Sequence, residues 1–452
     1  MYELHGPLRA AQGARTLADR RAAGRKLRNK VPRSSHAEWT PAADRPDPLS
    51  LLEEQNRSRL SHLVPLRYAR MAASPFAFLR GSAVVMAQDL AATPVTGIQV
   101  QVCGDAHLSN FGIYATPERN QVFDVNDFDE TLPGPWEWDI KRFAASIVVA
   151  GRTNGFPAAT SRRAVLNGVQ SYREHMWKYS EMCHIDVWYS RIDYENSLQF
   201  VRRTFRWYIE KQREKSRQRS SLQVFPKLTI QVDGHHHIKD DPPLITHLDD
   251  EELTQQLRGL VDAYRPTVQE DRRVLLDKYQ CVDVAQKVVG VGSVGTRCYI
   301  VLLLGNDSND PLLLQIKEAQ ASVLERHLGS SIYPNHAQRV VSGQRLMQAA
   351  SDLFLGWTRL GPTDYYIRQL RDMKLSVSLE TLIPEGFIEY CRFCGWALAR
   401  AHARSGDPAQ ISGYLGRSDV FDRALASFAE TYANQTEHDH AALVAVIKAD
   451  QI

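Results

Sequence analysis

The sequence predicts an α+β protein, and three observations carry the prediction. Residues 282 to 317 hold two long β-rich runs, "VDVAQKVVGVGSVGTRCYIVLLLG" and "PLLLQIKEA", separated by the turn "NDSND". On either side of that segment apolar residues recur at helical spacing, as in "WEWDIKRFAASIVVAGR" before it and "GFIEYCRFCGWALARAHARSG" after it. In "VCGDAHLSNFGIYATPERNQVFDVNDFDET", Asp105, Asn110, Asp124 and Asp127 alternate with Phe111, Ile113, Val122, Phe123, Val125 and Phe128. That alternation predicts two strands that bury one side and present oxygen ligands on the other.

Composition bounds the rest. A chain of 452 residues, 43% hydrophobic, builds one large or two ordinary domains without a disulfide staple. Its six cysteines are scattered, and no signal-peptide pattern or membrane-length apolar run is found, so a cytoplasmic location without membrane partners is expected. A net charge of +3 does not argue for nucleic acid. Two basic segments, 20–33 and 202–219, leave phosphate or RNA open, although such runs are usually solvated faces. Residues 1–47 form a basic arm, either mobile or folded onto the body.

Taken in order, Ser50 is a plausible N-cap for a helix carrying Leu51, Leu52, Leu60 and Leu63. The two acidic strands follow, joined through "ATPERNQ", and then a helix with Trp138, Ile140, Phe143 and Ile147 on its buried face. Further helices should run to about residue 220. A hairpin turns at Asp233-Gly234; its His235, His236 and His237 do not make a metal site, because consecutive strand residues point to opposite faces. After the β-rich segment come a helix around "AQRVVSGQRLMQAAS", strands in "LFLGWTRL" and "DYYIRQL", and two more helical stretches. Cys391 and Cys394 are a lone C-x-x-C on an apolar helix and read as packing.

The glycine run "GVGSVG", with Gly290, Gly292, Ser293 and Gly295, lies between two strands, which suits a flap over nucleotide phosphates better than a dinucleotide-binding turn. Lys317, at the end of the next strand, can lie beneath that flap and meet phosphate. Asp105 and Asn110, five residues apart in one loop, then suit an acceptor-facing base and a Mg²⁺ ligand, with Asp127 as a second hard oxygen and Asp124 as the rival for that role. His107 either contacts phosphate or braces the loop. Paired carboxylates also suit glycoside hydrolysis or a Ca²⁺ site, but neither uses the flap and the lysine.

These residues resemble the protein-kinase-like fold, most closely its aminoglycoside and choline phosphotransferase branch. "CGDAHLSNFG" is similar to that branch's catalytic loop and "VNDFDE" to its metal-binding motif. "GPWEWDIKRFAAS" resembles the helix start whose aspartate, here Asp139, braces the catalytic loop. Phrases such as "PLRYARM", "NDFDETLPGPWEWD" and "VGVGSVGTRCY" also resemble a mainly bacterial family, domain of unknown function 2252, grouped with the kinase-like folds.

The resemblance implies a bilobal kinase-like fold, with one large departure. Here the flap and lysine follow the catalytic loop, and "GWALARAHARSG" resembles the helix that ordinarily leads into it. A circular permutation accounts for both: a large helical lobe from 48–280 and 376–452, with a small antiparallel β lobe, 281–375, between them. Kinases also pair the strand lysine with a helix glutamate, absent from "HAQRVVSGQRLMQAA"; Glu318, Glu325, Gln338 or Gln344 is the substitute expected. The implied activity is ATP- and Mg²⁺-dependent phosphoryl transfer to a small-molecule or protein hydroxyl. Alternatives are a nucleotide-binding pseudokinase or regulatory protein, and a nucleotidyl (AMP) transferase.

Overall fold

A computed structural model describes residues 16–193, 210–211, 214, 221–307, 309–370 and 374–449. The basic segment 202–219 therefore lies outside the described residues except at three positions. The chain is α+β, with small antiparallel sheets.

Its acidic stretch folds as four short strands: β1 (Gln99–Val102), β2 (Phe111–Ala115), β3 (Gln121–Val125) and β4 (Leu132–Pro135). β1 pairs with β4 and β2 with β3, so the loops at Cys103–Asn110 and Asn126–Thr131 lie side by side. Around them pack the helices Trp136–Thr153, Ala158–Glu181, Pro384–Ser405 and Val420–Lys448. Trp136, Phe143, Tyr172, Met176, Phe387, Leu398 and Phe428 belong to one continuous core. Cys391 and Cys394 are buried in it, and burial pushes both thiols well up, as expected of packing residues.

The hairpin β5 (Thr229–Val232) and β6 (His235–Ile238) turns at Asp233-Gly234, both at positive φ, as the turn chemistry requires. A six-stranded antiparallel sheet follows, comprising β7 (Ile245–Thr246), β8 (Gln280–Lys287), β9 (Cys298–Leu304), β10 (Pro311–Ala319), β11 (Gly356–Leu360) and β12 (Thr363–Gln369). Its spatial order is β11-β12-β10-β9-β8-β7. β9 is apolar throughout because both its faces are covered. Val301 and Leu303 meet Leu257, Leu260 and Tyr264 of the helix Glu251–Tyr264, while Ile300 and Leu302 meet Phe225, Ile238 and Ile245.

The helix Glu251–Tyr264 thus packs on the sheet, with Leu257, Leu260 and Tyr264 in one cluster with Val301 and Leu303. The β signal begins at 281, but the helix before it buries its apolar stripe on the sheet and not on the helical body. A short strand, β13 (Leu375–Ser376), pairs with β2 and joins the end of the sheet body to the helical body.

One local expectation is corrected. The helix expected from Ser50 is two helices, Pro48–Asn56 and Val64–Ala72. Asp47 caps the first by accepting from Ser50 N, and Pro48 and Pro65 each fit a first turn, where no N–H is needed. The described part of the basic arm, from 16 onward, is folded onto the body. Arg28 donates to the carbonyls of Tyr414 and Gly413, and Arg33 to that of Leu415, where the helix Pro408–Leu415 leaves its last carbonyls unpaired.

Burial holds His36 and His175 neutral, pushing them down to about 3 and about 4. Below the unfolded value of 6.5 the unfolded chain takes up protons that the folded chain refuses. Stability is therefore complete above that value and falls as pH drops through the window down to about 4, by about 1.4 kcal/mol per pH unit for each histidine. Urea unfolding at neutral and mildly acidic pH should show this slope, with His36→Gln shallower by one such increment; identical slopes would remove His36 from the account.

Candidate active site

β1 delivers the chain into Cys103–Asn110, whose shape is set by one buried carboxylate. Asp139, in the first turn of the helix Trp136–Thr153, accepts from Cys103 N at 2.8 Å and Gly104 N at 3.0 Å. It also accepts from His402 Nε2 at 3.1 Å, and Tyr172 Oη lies 2.9 Å from His402 Nδ1. Gly104 has φ +79°, and a Cβ there would lie 2.4 Å from the carbonyl oxygen of Glu130, so the two acidic loops touch where glycine alone fits. The end of the helix Pro384–Ser405 lies against the start of this loop: Gln101 N donates to Ser405 Oγ at 3.0 Å.

Asp105 faces a cleft of about 370 Å³ whose lining includes Asn110, Asp127, Gly290, Gly292, Ser293 and Lys317. Asp105, His107, Asn110, Gly290, Gly292, Ser293 and Lys317 thus line one cleft, although Lys317 is 188 residues from its partner in the acidic loop; Gly295 is not in that lining and lies against Arg59. Asn110 Nδ2 donates to the Asp105 carbonyl at 2.8 Å, which leaves its Oδ1 as the face for a cation. His107 is buried at 6% exposure, 3.6 Å from Asp105. Burial pushes its imidazole down to about 4, despite Asp105 and with help from Arg80 and Arg142, so it is neutral near pH 7.

Asp127 and Asn110 offer two hard oxygens. Burial alone would push the Asp127 carboxyl up, but Lys317, Arg368 and Lys374 hold it down to about 2. Among the described residues no three His, Cys, Asp or Glu side chains form a metal cage. A carboxylate and an amide oxygen are donor types that a hard cation takes when other oxygens complete its shell.

Asp124 is not in the cleft. It is fully buried, with Arg400 Nη2 at 2.8 and 2.7 Å from its two oxygens and Ala349 N donating at 2.8 Å. As a candidate metal ligand it is corrected: it lies on the buried strand β3, outside the cleft lining, and its lone pairs are committed to Arg400 and backbone.

The lysine partner is also corrected. Lys317, 2% exposed, pairs with Asp129, whose other oxygen accepts from Tyr366 Oη at 2.8 Å. Burial alone would lower the lysine, but Asp127 and Asp129 keep it well above its ordinary value. Glu318 points to the other face of β10 and accepts from Arg297 N at 2.8 Å. Glu325 accepts from Ser322 N, Gln344 donates to Gln348, and Gln338 N donates to the cap Asn335.

A family model described as "Uncharacterized protein conserved in bacteria (DUF2252)" matches residues 59–446. The chain belongs to the DUF2252 family. No curated protein and no solved structure matches it.

In this DUF2252 chain the helix His336–Met347 presents a buried cation, Arg339, and no glutamate. Arg339, 1% exposed, donates to the carbonyls of Asp129, Thr131 and Gln320 at 2.7–2.8 Å, fastening the acidic loop to the end of β10. Arg142, one turn after Asp139, pairs with Asp105 and donates to the Leu79 carbonyl at 2.9 Å. The glycine loop is docked by three donors, with Arg70 donating to Gly290 O, Arg59 to Val294 O, and Leu60 N to Gly295 O at 2.8 Å. Sequence reasoning missed Arg59, Arg142, Arg339 and Asp129. Only Asp129 carried a local signal, two residues after Asp127 in "DFDE".

Asp124→Asn should destabilise the protein by about 3–5 kcal/mol in urea unfolding, since it strands a buried Arg400. A loss below about 1 kcal/mol would show that Arg400 does not depend on it.

Proposed function

We propose that the cleft binds a Mg²⁺–ATP complex and transfers a phosphorus group from it to a hydroxyl of a small molecule or protein. The observation that carries this reading is the convergence of Asp105, Asn110, Asp127, Lys317 and the glycine loop on one cleft. Each has the chemistry phosphoryl or nucleotidyl transfer needs: a carboxylate for the acceptor proton, hard oxygens for metal, a cation and backbone N–H groups for phosphate. A permuted kinase-like fold accords with the helix end at Ser405 lying against β1, and with the β13–β2 pairing that links the two bodies.

In this reading Asn110 and Asp127 would hold Mg²⁺, which would supply positive charge for the charge that develops on phosphate oxygens. Asp105 takes up the acceptor hydroxyl proton, with Arg142 fixing its direction. Lys317 anchors phosphate, and the Asp129 ion pair supplies the ordering that a helix glutamate supplies in kinases. That substitution favours an active enzyme over a pseudokinase.

Thermal denaturation with saturating Mg²⁺–ATP tests the proposal. A ligand at about one hundred times its dissociation constant stabilises by roughly 2.7 kcal/mol, and no shift with nucleotide and metal together would defeat the reading. Asp127→Asn should lose the metal-dependent part of the shift. Asp105→Asn should keep the full shift and lose turnover by about two to four orders of magnitude; equal turnover would remove Asp105 from its role.

A further inference from the structure

Among the described residues, the lysines and arginines that line the cleft are Arg59, Arg80, Lys317, Arg368 and Lys374. All but one spend a donor on the protein itself. Lys317 pairs with Asp129, Arg59 donates to the Val294 carbonyl, Arg368 to Gln315 Oε1 at 3.1 Å, and Lys374 to the Asn126 carbonyl at 3.2 Å. Arg80 makes no hydrogen bond or ion pair among the described residues, and its Nε is buried without a partner. An unpaired, half-buried guanidinium carries a desolvation cost that a ligand oxygen would return.

The backbone that presents Arg80 is fixed on every side. It lies in the helix Pro75–Gly81, where the Leu79 carbonyl accepts from Arg142 Nη2 at 2.9 Å and the Gly81 carbonyl from Arg67 Nη2 at 3.0 Å. Arg142 also pairs with Asp105, so one guanidinium holds both the acceptor-facing carboxylate and the residue before Arg80. The Arg80 carbonyl oxygen lies 3.0 Å from where a Cβ on Gly292 would stand, which sets Arg80 between the glycine loop and the catalytic loop. Burial lowers the Arg80 guanidinium, and the carboxylates that oppose this are Asp105, Asp127 and Glu380, in that order.

We propose that Arg80 is a catalytic residue whose free guanidinium takes oxygens of the phosphoryl group during its transfer. This rests on the nucleotide reading above, in its phosphoryl form. In that reading the acceptor hydroxyl lies on Asp105 and the donor phosphate beside Asp127, so a cation that faces both carboxylates and pairs with neither faces the bond being made. The acceptor oxygen bonds to phosphorus, the bond from phosphorus to the bridging oxygen breaks, and its electron pair leaves with the nucleoside diphosphate. The hydroxyl proton passes to Asp105. A planar fork on a fixed backbone meets the phosphoryl oxygens without reorganisation.

Calorimetric titration of the full-length protein, as wild type, Arg80→Gln and Arg80→Lys with melting temperatures checked, tests this without an identified acceptor. The probes are Mg²⁺–ADP alone and Mg²⁺–ADP with fluoroaluminate, which mimics the phosphoryl group in flight. Fluoroaluminate should tighten Mg²⁺–ADP on the wild type. Arg80→Gln should bind Mg²⁺–ADP within about twofold of wild type and lose at least about tenfold of that tightening. Arg80→Lys should recover only part of it, being a point charge without the fork. Equal tightening in wild type and Arg80→Gln, no tightening of the wild type, or equal weakening of both probes overturns the assignment and leaves the nucleotide reading standing. An Arg80→Gln protein that keeps the tightening but loses inorganic phosphate from the fluoroaluminate complex overturns it in favour of an acid group on the acceptor. Failure of the wild type to bind either Mg²⁺–ADP or Mg²⁺–ATP overturns the two together.

Discussion

The carboxylate of Asp139 is the interaction on which the rest of the site depends. It sits at the start of one long helix, takes two backbone N–H groups from the loop that carries Asp105, and takes the imidazole of His402 from a second helix 263 residues away. At a helix N-terminus the carboxylate is favoured by the helix dipole, and each of its bonds satisfies a buried donor that would otherwise cost about 1–3 kcal/mol. The loop therefore inherits its position from two core helices and not from its own sequence. Because Arg142 lies on the next turn of the same helix, the element that shapes the loop also aims the Asp105 carboxylate.

The same economy governs the acidic loop opposite. Asp127, Asp129 and Glu130 crowd into four residues, and the protein separates them by giving each a distinct partner. Cations at Lys317, Arg368 and Lys374 keep Asp127 ionised. Asp129 spans Lys317 and Tyr366. Glu130 accepts from Val323 N at 2.7 Å, and burial pushes its carboxyl up to about 7, so it carries less charge than its neighbours near neutrality. Arg339 then ties the backbone of this loop to β10, so the sheet body and the acidic loop are held in register by a guanidinium that touches no carboxylate in the cleft.

Much of this was legible from periodicity. The strands of the acidic hairpin, the Asp233-Gly234 turn, the two central sheet strands and the long helices follow from local apolar spacing, which acts within one element. What was not legible depends on pairs distant in sequence. Asp124 and Asp127 look alike along the chain; Arg400, far downstream, consumes one of them. The helix 251–264 carries an amphipathic stripe that fits either body, and nothing local says which it covers. Arg339 and Arg142 read as ordinary helix-surface cations until the carbonyls and the carboxylate they meet are in view.

The N-terminal arm bears on where this fold begins. The family match starts at residue 59, yet the guanidinium groups of Arg28 and Arg33 close the helix Pro408–Leu415, and Arg45 lies between Asp89 and Asp439. A chain trimmed to 59–446 would lack all three arginines and leave Asp89 and Asp439, both buried, facing each other without their shared cation. The unit that recurs in sequence is therefore smaller than the unit that folds. Any screen for acceptors that begins from the recurrent segment alone would begin from a protein whose two ends had lost their common clasp.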